Sequence, residues 1–135
     1  MMHYVRRIVP IATLACVMGC GSQDPNRGEV TGIITVNGQP VAAGAVAFSP
    51  VDGQSPTSGG KILDGKYTVQ ASTGTSRVAI RVPQVVGEKK LYSTADSPVR
   101  PVMKETLPPE YNDRTTLTLE VKPGDNEHNF DLQTK

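Results

Sequence analysis

Thr115-Thr116-Leu117-Thr118-Leu119-Glu120-Val121-Lys122 alternates polar and apolar residues from Thr116 onward. In an extended chain Leu117, Leu119 and Val121 share one face, and Thr116, Thr118, Glu120 and Lys122 share the other. A period of two predicts a strand with one buried side. Outward from this stretch the same period recurs. In 76–82, Val78, Ile80 and Val82 point inward, with Arg77 and Arg81 outward. In 66–71, Tyr67 and Val69 are inward; in 45–50, Val46 and Phe48; and from Glu29 onward, Val30, Ile34 and Val36. Toward the C-terminus, Pro123-Gly124-Asp125 turns the chain, and 126–133 closes it with Phe130 and Leu132 inward.

The punctuation between these runs is turn chemistry. Asn37-Gly38 combines two residues that tolerate positive φ, a tight hairpin signal. Asp64-Gly65 joins Lys61-Ile62-Leu63 to the run that starts at Lys66, which reads as a second hairpin. About seven short strands without an amphipathic helix predict an all-β domain over 29–135. The expected form is an antiparallel two-sheet β-sandwich, a prealbumin-like or Ig-like Greek key, with a barrel as the alternative.

Composition agrees. Among 135 residues there are 13 Gly, 11 Pro and no Trp, which suits short strands and many turns and disfavours a helical bundle. Formal net charge is +1; removing Arg6 and Arg7 with an N-terminal leader leaves 12 basic against 13 acidic residues. No basic patch stands out, which argues against nucleic-acid binding. Cys16 and Cys20 are the two cysteines, and neither lies in the predicted domain, so no intradomain disulfide or cysteine metal site is expected.

The first residues read as an address. A basic start is followed by a mostly apolar run over 8–18, within the ~7–15 residues of a signal-peptide core and short of the roughly 20 that span a bilayer. The run ends in Val17-Met18-Gly19-Cys20, similar to the bacterial lipobox: an aliphatic residue three before the cysteine, and a small residue at the cut. Cys16, preceded by Thr13-Leu14-Ala15, fits that box less well. The expectation is a lipoprotein signal peptide over 1–19, a lipidated Cys20, and a polar tether to residue 28. Several acyl chains at ~0.8 kcal/mol per buried CH₂ would hold such a protein on a membrane.

Residues 83–114 break the pattern. They carry Pro83, Pro98, Pro101, Pro108 and Pro109 and little periodicity, and predict a long loop. A tolerated surface insertion is one reading. The other is a binding loop with Lys89, Lys90, Tyr92 and Tyr111 as contact residues.

Gly32-Ile33-Ile34-Thr35-Val36-Asn37-Gly38-Gln39-Pro40-Val41, followed by Ala45-Val46-Ala47-Phe48, resembles the opening of carboxypeptidase regulatory-like, or transthyretin-like, β-sandwich domains. Asp64-Gly65-Lys66-Tyr67-Thr68-Val69 is similar to that family's hairpin. Pro109, Tyr111, Asn112, Thr115 and Leu117, then Gly124, Asn126, Phe130 and Leu132, resemble the ending of small planctomycete-type lipoproteins of this kind. His128 departs from the aromatic or aliphatic residue usual there. The resemblance implies an accessory, adhesive or scaffolding module without cofactor. Its partners would be the membrane, through the anchor, and an envelope protein or polysaccharide.

Catalytic patterns are sparse. His128 is the only histidine after residue 20 and shares the inward parity of Phe130, which predicts a rim residue of the core. Transthyretin-like hydrolases of a purine-degradation intermediate carry several histidines and a terminal Tyr-Arg-Gly-Ser, whereas this chain ends Asp131-Leu132-Gln133-Thr134-Lys135. Asp125, Glu127 and Asp131 read as a solvated strand face, since calcium takes about six to eight oxygen ligands. The expectation is a non-catalytic envelope module with no metal. A secreted carbohydrate- or protein-binding domain, or a hydrolase or inhibitor acting through 83–114, is the alternative.

Overall fold

A computed structural model describes Gly21 and residues 24–135. The leader, Cys16 and Cys20 lie outside the described residues. The described residues are all-β, in the order β1 Arg27–Val36, β2 Gln39–Pro40, β3 Ala43–Pro50, β4 Ser58–Leu63, β5 Lys66–Ser72, β6 Gly74–Arg81, β7 Pro83–Lys90, β8 Val99–Glu105, a 3-10 turn Pro109–Tyr111, β9 Thr118–Val121, β10 Gly124–Glu127 and β11 Phe130–Leu132.

Nine strands are hydrogen-bonded into one sheet in the order β10-β1-β5-β4-β3-β6-β9, with β2 and β11 also on β1; β7 and β8 form a separate two-stranded sheet. The two ends of the long order, β9 and β10, are joined through Lys122-Pro123. The sheet therefore curls and brings its two ends close together, without a ladder between them. Val30, Ile34, Val46, Phe48, Ile62, Val69, Val78 and Ile80, all at most 2% exposed, fill the inside. The rings of Phe48, Tyr67 and Phe130 follow one another across it, with centroids 6.4 and 6.1 Å apart.

The predicted turns form as their residues dictate. Asn37 and Gly38 have φ of 52° and 81°, and Asp64 and Gly65 have 51° and 79°, so both hairpins turn through two left-handed residues. Val36 pairs with Gln39, and Leu63 with Lys66, directly across them.

Three features differ from expectation. The closing segment is not antiparallel to its neighbour: β10 and β11 both run parallel to β1, with Gly28 opposite Gly124 and Ile34 opposite Phe130. The cause is the turn at Pro123-Gly124, which lies at the end of the body where β1 starts, so the last strand must travel in the same direction as β1. The stretch 115–122 is a strand only over Thr118–Val121. Before it, the Thr115 hydroxyl donates to the Val78 carbonyl and accepts from the Leu117 amide, replacing regular ladder bonds. Residues 83–114, expected as a loop, contain β7, β8 and the 3-10 turn.

β1 organises the whole. Its first half lies between β5 and β10, and its second half between β2 and β11. The changeover is at Gly32 and Ile33. There the Ile33 amide donates to the Asn129 side chain, and His128 donates its amide to Thr31. The buried Tyr67 hydroxyl donates to the His128 carbonyl at 2.6 Å, and its burial pushes the phenol pKa up. Asn126 staples the preceding turn, donating to the carbonyls of Lys122 and Gly124 and accepting from the Lys122 amide.

Among the described residues one buried side-chain group lacks a partner. Ser76, 1% exposed on β6, has a hydroxyl that no described residue bonds. An unmet buried hydroxyl costs about 1–3 kcal/mol. Ser76→Ala is therefore expected to raise stability by about 1 kcal/mol, read as a higher urea midpoint at unchanged m-value.

Candidate functional site

The body has two poles. At one, Arg27 enters opposite Ser72, near Gly74 and the Pro123-Gly124 turn. At the other, β6 ends at Arg81 opposite Ala45, close to the Leu63–Lys66 hairpin. From this second pole β7 and β8 project as a ribbon, with every residue exposed except half-buried Glu105.

An isolated two-stranded ribbon is marginal in water. Here the root holds it. One carboxylate oxygen of Glu105 accepts the backbone N–H groups of Val82 (2.9 Å), Thr106 (3.1 Å) and Leu107 (3.0 Å). The Thr106 hydroxyl donates to the Val82 carbonyl at 2.6 Å, tying the outgoing strand to the returning one. Leu107, 6% exposed, then plugs into the core, and Asn112, 5% exposed, closes the turn behind it. Arg81 pairs with Asp113 beside the root; that hydrogen bond raises the guanidinium pKa, but the pair is exposed and adds little to stability. At the tip, the Leu91 amide donates to Pro98, and the Tyr92 amide donates to the Ser97 hydroxyl.

The four contact residues named from sequence do not converge. Lys89, Lys90 and Tyr92 sit together at the exposed tip. Tyr111 stays on the body in the 3-10 turn, packs against the core, and exchanges hydrogen bonds with the Gln133 backbone through its hydroxyl. The residues that build the root, Glu105, Thr106, Leu107 and Asn112, carry no periodic signal. Glu105 is one of several acids in the proline-rich stretch, with Glu88, Asp96, Glu110 and Asp113, and nothing local sets it apart.

Two clefts flank the root. One of about 460 Å³ is largely apolar and lies between the ribbon's Pro83 and Met103 and the body's Ala43, Ala45, Ile62 and Leu63. The other, about 530 Å³, lies between Leu107, Tyr111 and the residues after β11.

Elsewhere, His128 is half-buried, edge-on to Phe130 with ring centroids 4.6 Å apart, and among the described residues its imidazole makes no hydrogen bond. Asp125, Glu127 and Asp131 are exposed along the closing strand, with Asp131 accepting from the Thr35 hydroxyl. Among the described residues no group of three or more His, Cys, Asp or Glu is placed to hold a metal ion, and no helix is long and apolar enough to cross a membrane.

Fold and site together define a class: a curled all-β domain that presents a solvent-exposed ribbon from one pole. No protein-family model, curated protein or solved structure matches the chain.

Proposed function

We propose that the chain is a non-catalytic envelope lipoprotein. In this reading Cys20 carries the lipid, the residues between it and Arg27, where β1 starts, tether the domain, and the body is a carboxypeptidase regulatory-like sandwich curled nearly shut. It serves as a binding or spacing module on the exported side of a cell membrane or outer membrane. The observation that carries the reading is the opposition of the poles: the tether joins at Arg27, and the ribbon leaves from the far end, beyond Arg81. A strand of eight residues spans roughly 25 Å, so the body would hold the ribbon about that far from an anchoring membrane.

Intact mass of the membrane-fraction protein tests this, for wild type and for Cys20→Ser. The expected wild-type mass is that of a chain beginning at Cys20 plus acyl groups, with the acyl mass absent from the variant. An unmodified wild-type chain in the soluble fraction would remove the anchor and leave a secreted binding domain. A hydrolytic activity lost in a folded His128→Ala variant would replace the non-catalytic reading altogether.

A further inference from the structure

The register of the ribbon sorts its charges onto two faces. Directly opposed residues of paired strands share a face, and neighbours along a strand alternate. Gln84 lies opposite Lys104, Gly87 opposite Val102, and Lys89 opposite Arg100. These residues form one face: three cations, no acid, one apolar side chain. Pro83 opposite Glu105, Val85 opposite Met103, Glu88 opposite Pro101, and Lys90 opposite Val99 form the other. Both acids of the paired strands are thus on this second face, and its Pro83 and Met103 turn toward the body at the apolar cleft. The cationic face points away.

Lys89 and Arg100 are like charges directly opposite each other, an arrangement that destabilises a strand pair. Neither forms an ion pair with a described residue. A ribbon with almost no core to hold it tolerates this repulsion at its own expense, which marks the face for an anion that neutralises it.

We infer that the outward face of the ribbon binds a linear anionic polysaccharide through Lys89, Arg100 and Lys104. Arg100 and Lys104 are four residues apart on β8, so the cations extend over roughly 13 Å along the strand. A polymer with a carboxylate or sulfate on each sugar can meet all three in several registers. Other occupants fit less well. The face measures roughly 27 by 10 Å from strand spacings, far below the ~800 Å² that each partner gives to a stable protein interface. Strand addition at the ribbon's edges is opposed by Pro83, Pro101 and the bulge between Val85 and Gly87. A bilayer would reward apolar insertion, and this face offers only Val102 within the paired register. The membrane that would hold Cys20 lies behind the body; that last point alone rests on the proposed anchor.

The test measures binding of the full chain to polygalacturonate fragments and to heparin fragments, which separates carboxylate from sulfate recognition. Binding to at least one is expected in low salt and lost near 1 M NaCl, where the Debye length is ~3 Å. Each cation near an anionic surface contributes about fivefold. Combining Lys89→Glu, Arg100→Glu and Lys104→Glu should therefore weaken binding on the order of 100-fold. Lys90→Glu, one residue away but on the other face, should change it less than about twofold, as should Arg77→Glu on the body. Lys89→Glu alone separates folding from binding. It creates an opposite-charge pair with Arg100, so ribbon amides should exchange more slowly while affinity falls. Equal losses in Lys90→Glu would reduce the effect to net charge and overturn the face assignment. Binding to phosphatidylglycerol vesicles with none to either polymer, or no binding at all, would overturn the ligand class. Cys20→Ser should bind the polymers like wild type, so failure of the anchor and failure of this inference give different results.

Discussion

Gly32→Ala is expected to destabilise the domain by about 4 kcal/mol, more than overpacking usually costs. A Cβ at Gly32 would sit 1.8 Å from the His128 carbonyl oxygen and 2.7 Å from its carbon. These are backbone atoms, so no side chain can swing aside. Either β1 or the 128–129 crossover must move, and both are fixed in register on each side by the β10 and β11 pairings. Moving the His128 carbonyl also removes the acceptor of the buried Tyr67 hydroxyl, which then costs about 1–3 kcal/mol unpaired. For a domain near 100 residues, about 4 kcal/mol lowers Tm by more than ~15 °C. Thermal unfolding by circular dichroism checks this. The double variant Gly32→Ala with Tyr67→Phe should lose less than the sum of the singles, because the added methyl group has already displaced the shared carbonyl. Additive losses would mean that the two residues do not meet at His128. Gly38, with nothing within 4 Å of its Cβ position, provides a control with backbone strain and no collision.

Gly32 also shows where sequence reasoning reached and where it stopped. Its place in an opening motif marks it as part of a strand, yet nothing local says that His128, 96 positions away, will press against it. The inward residues were legible because one face of each strand meets the core: Val30, Ile34, Val46, Phe48, Tyr67, Val69, Val78, Ile80, Val121, Phe130 and Leu132 are all buried as their parity predicts. The same logic explains the failure over 83–114. β7 and β8 bury neither face, so no alternation of apolar residues is selected, and Val85, Val86, Val102 and Met103 fall without period among lysines and prolines. A strand without a core leaves no period-two signal. Leu107 was invisible for a related reason: a single plug has no period at all. The parallel direction of the closing strand depends on which pole the Pro123-Gly124 turn occupies, a property of the assembled sheet. Lys89, Lys90 and Tyr92 were placed in one segment and do share the ribbon tip, whereas Tyr111, grouped with them by proximity in sequence, belongs to the body because its hydroxyl is tied to Gln133.

Glu105→Ala is expected to release the ribbon while leaving the body folded. Three amides converge on one carboxylate oxygen, and charge-assisted hydrogen bonds are roughly twice as strong as neutral ones. Two of those amides follow the returning strand β8 and the third, of Val82, lies between β6 and β7, so the group joins the two strands at the point where pairing must start. Loss of the side chain leaves the Thr106 hydroxyl bond to Val82 as the remaining side-chain tie at the root. The half-buried position lets water replace part of what is lost, so the cost to local opening should be about 2–3 kcal/mol. That corresponds to roughly a 30- to 150-fold faster exchange of ribbon amides if exchange follows local opening. Amides of β1, β3, β5 and β6 should keep their protection, since Val46, Phe48, Val69 and Ile80 do not depend on the ribbon for burial. Glu105→Gln retains a carbonyl oxygen in the same place and should recover a large part of the protection. If both variants lost protection equally across body and ribbon, Glu105 would be a global stabiliser and the ribbon an inseparable part of the domain. If neither changed ribbon exchange, the strands would be held by their own pairing, and the root would not govern presentation of the cationic face. The expected pattern is local, graded with acceptor strength, and confined to residues 83–105; it would make one carboxylate the element that lets a coreless ribbon project from a sheet curled around its own core.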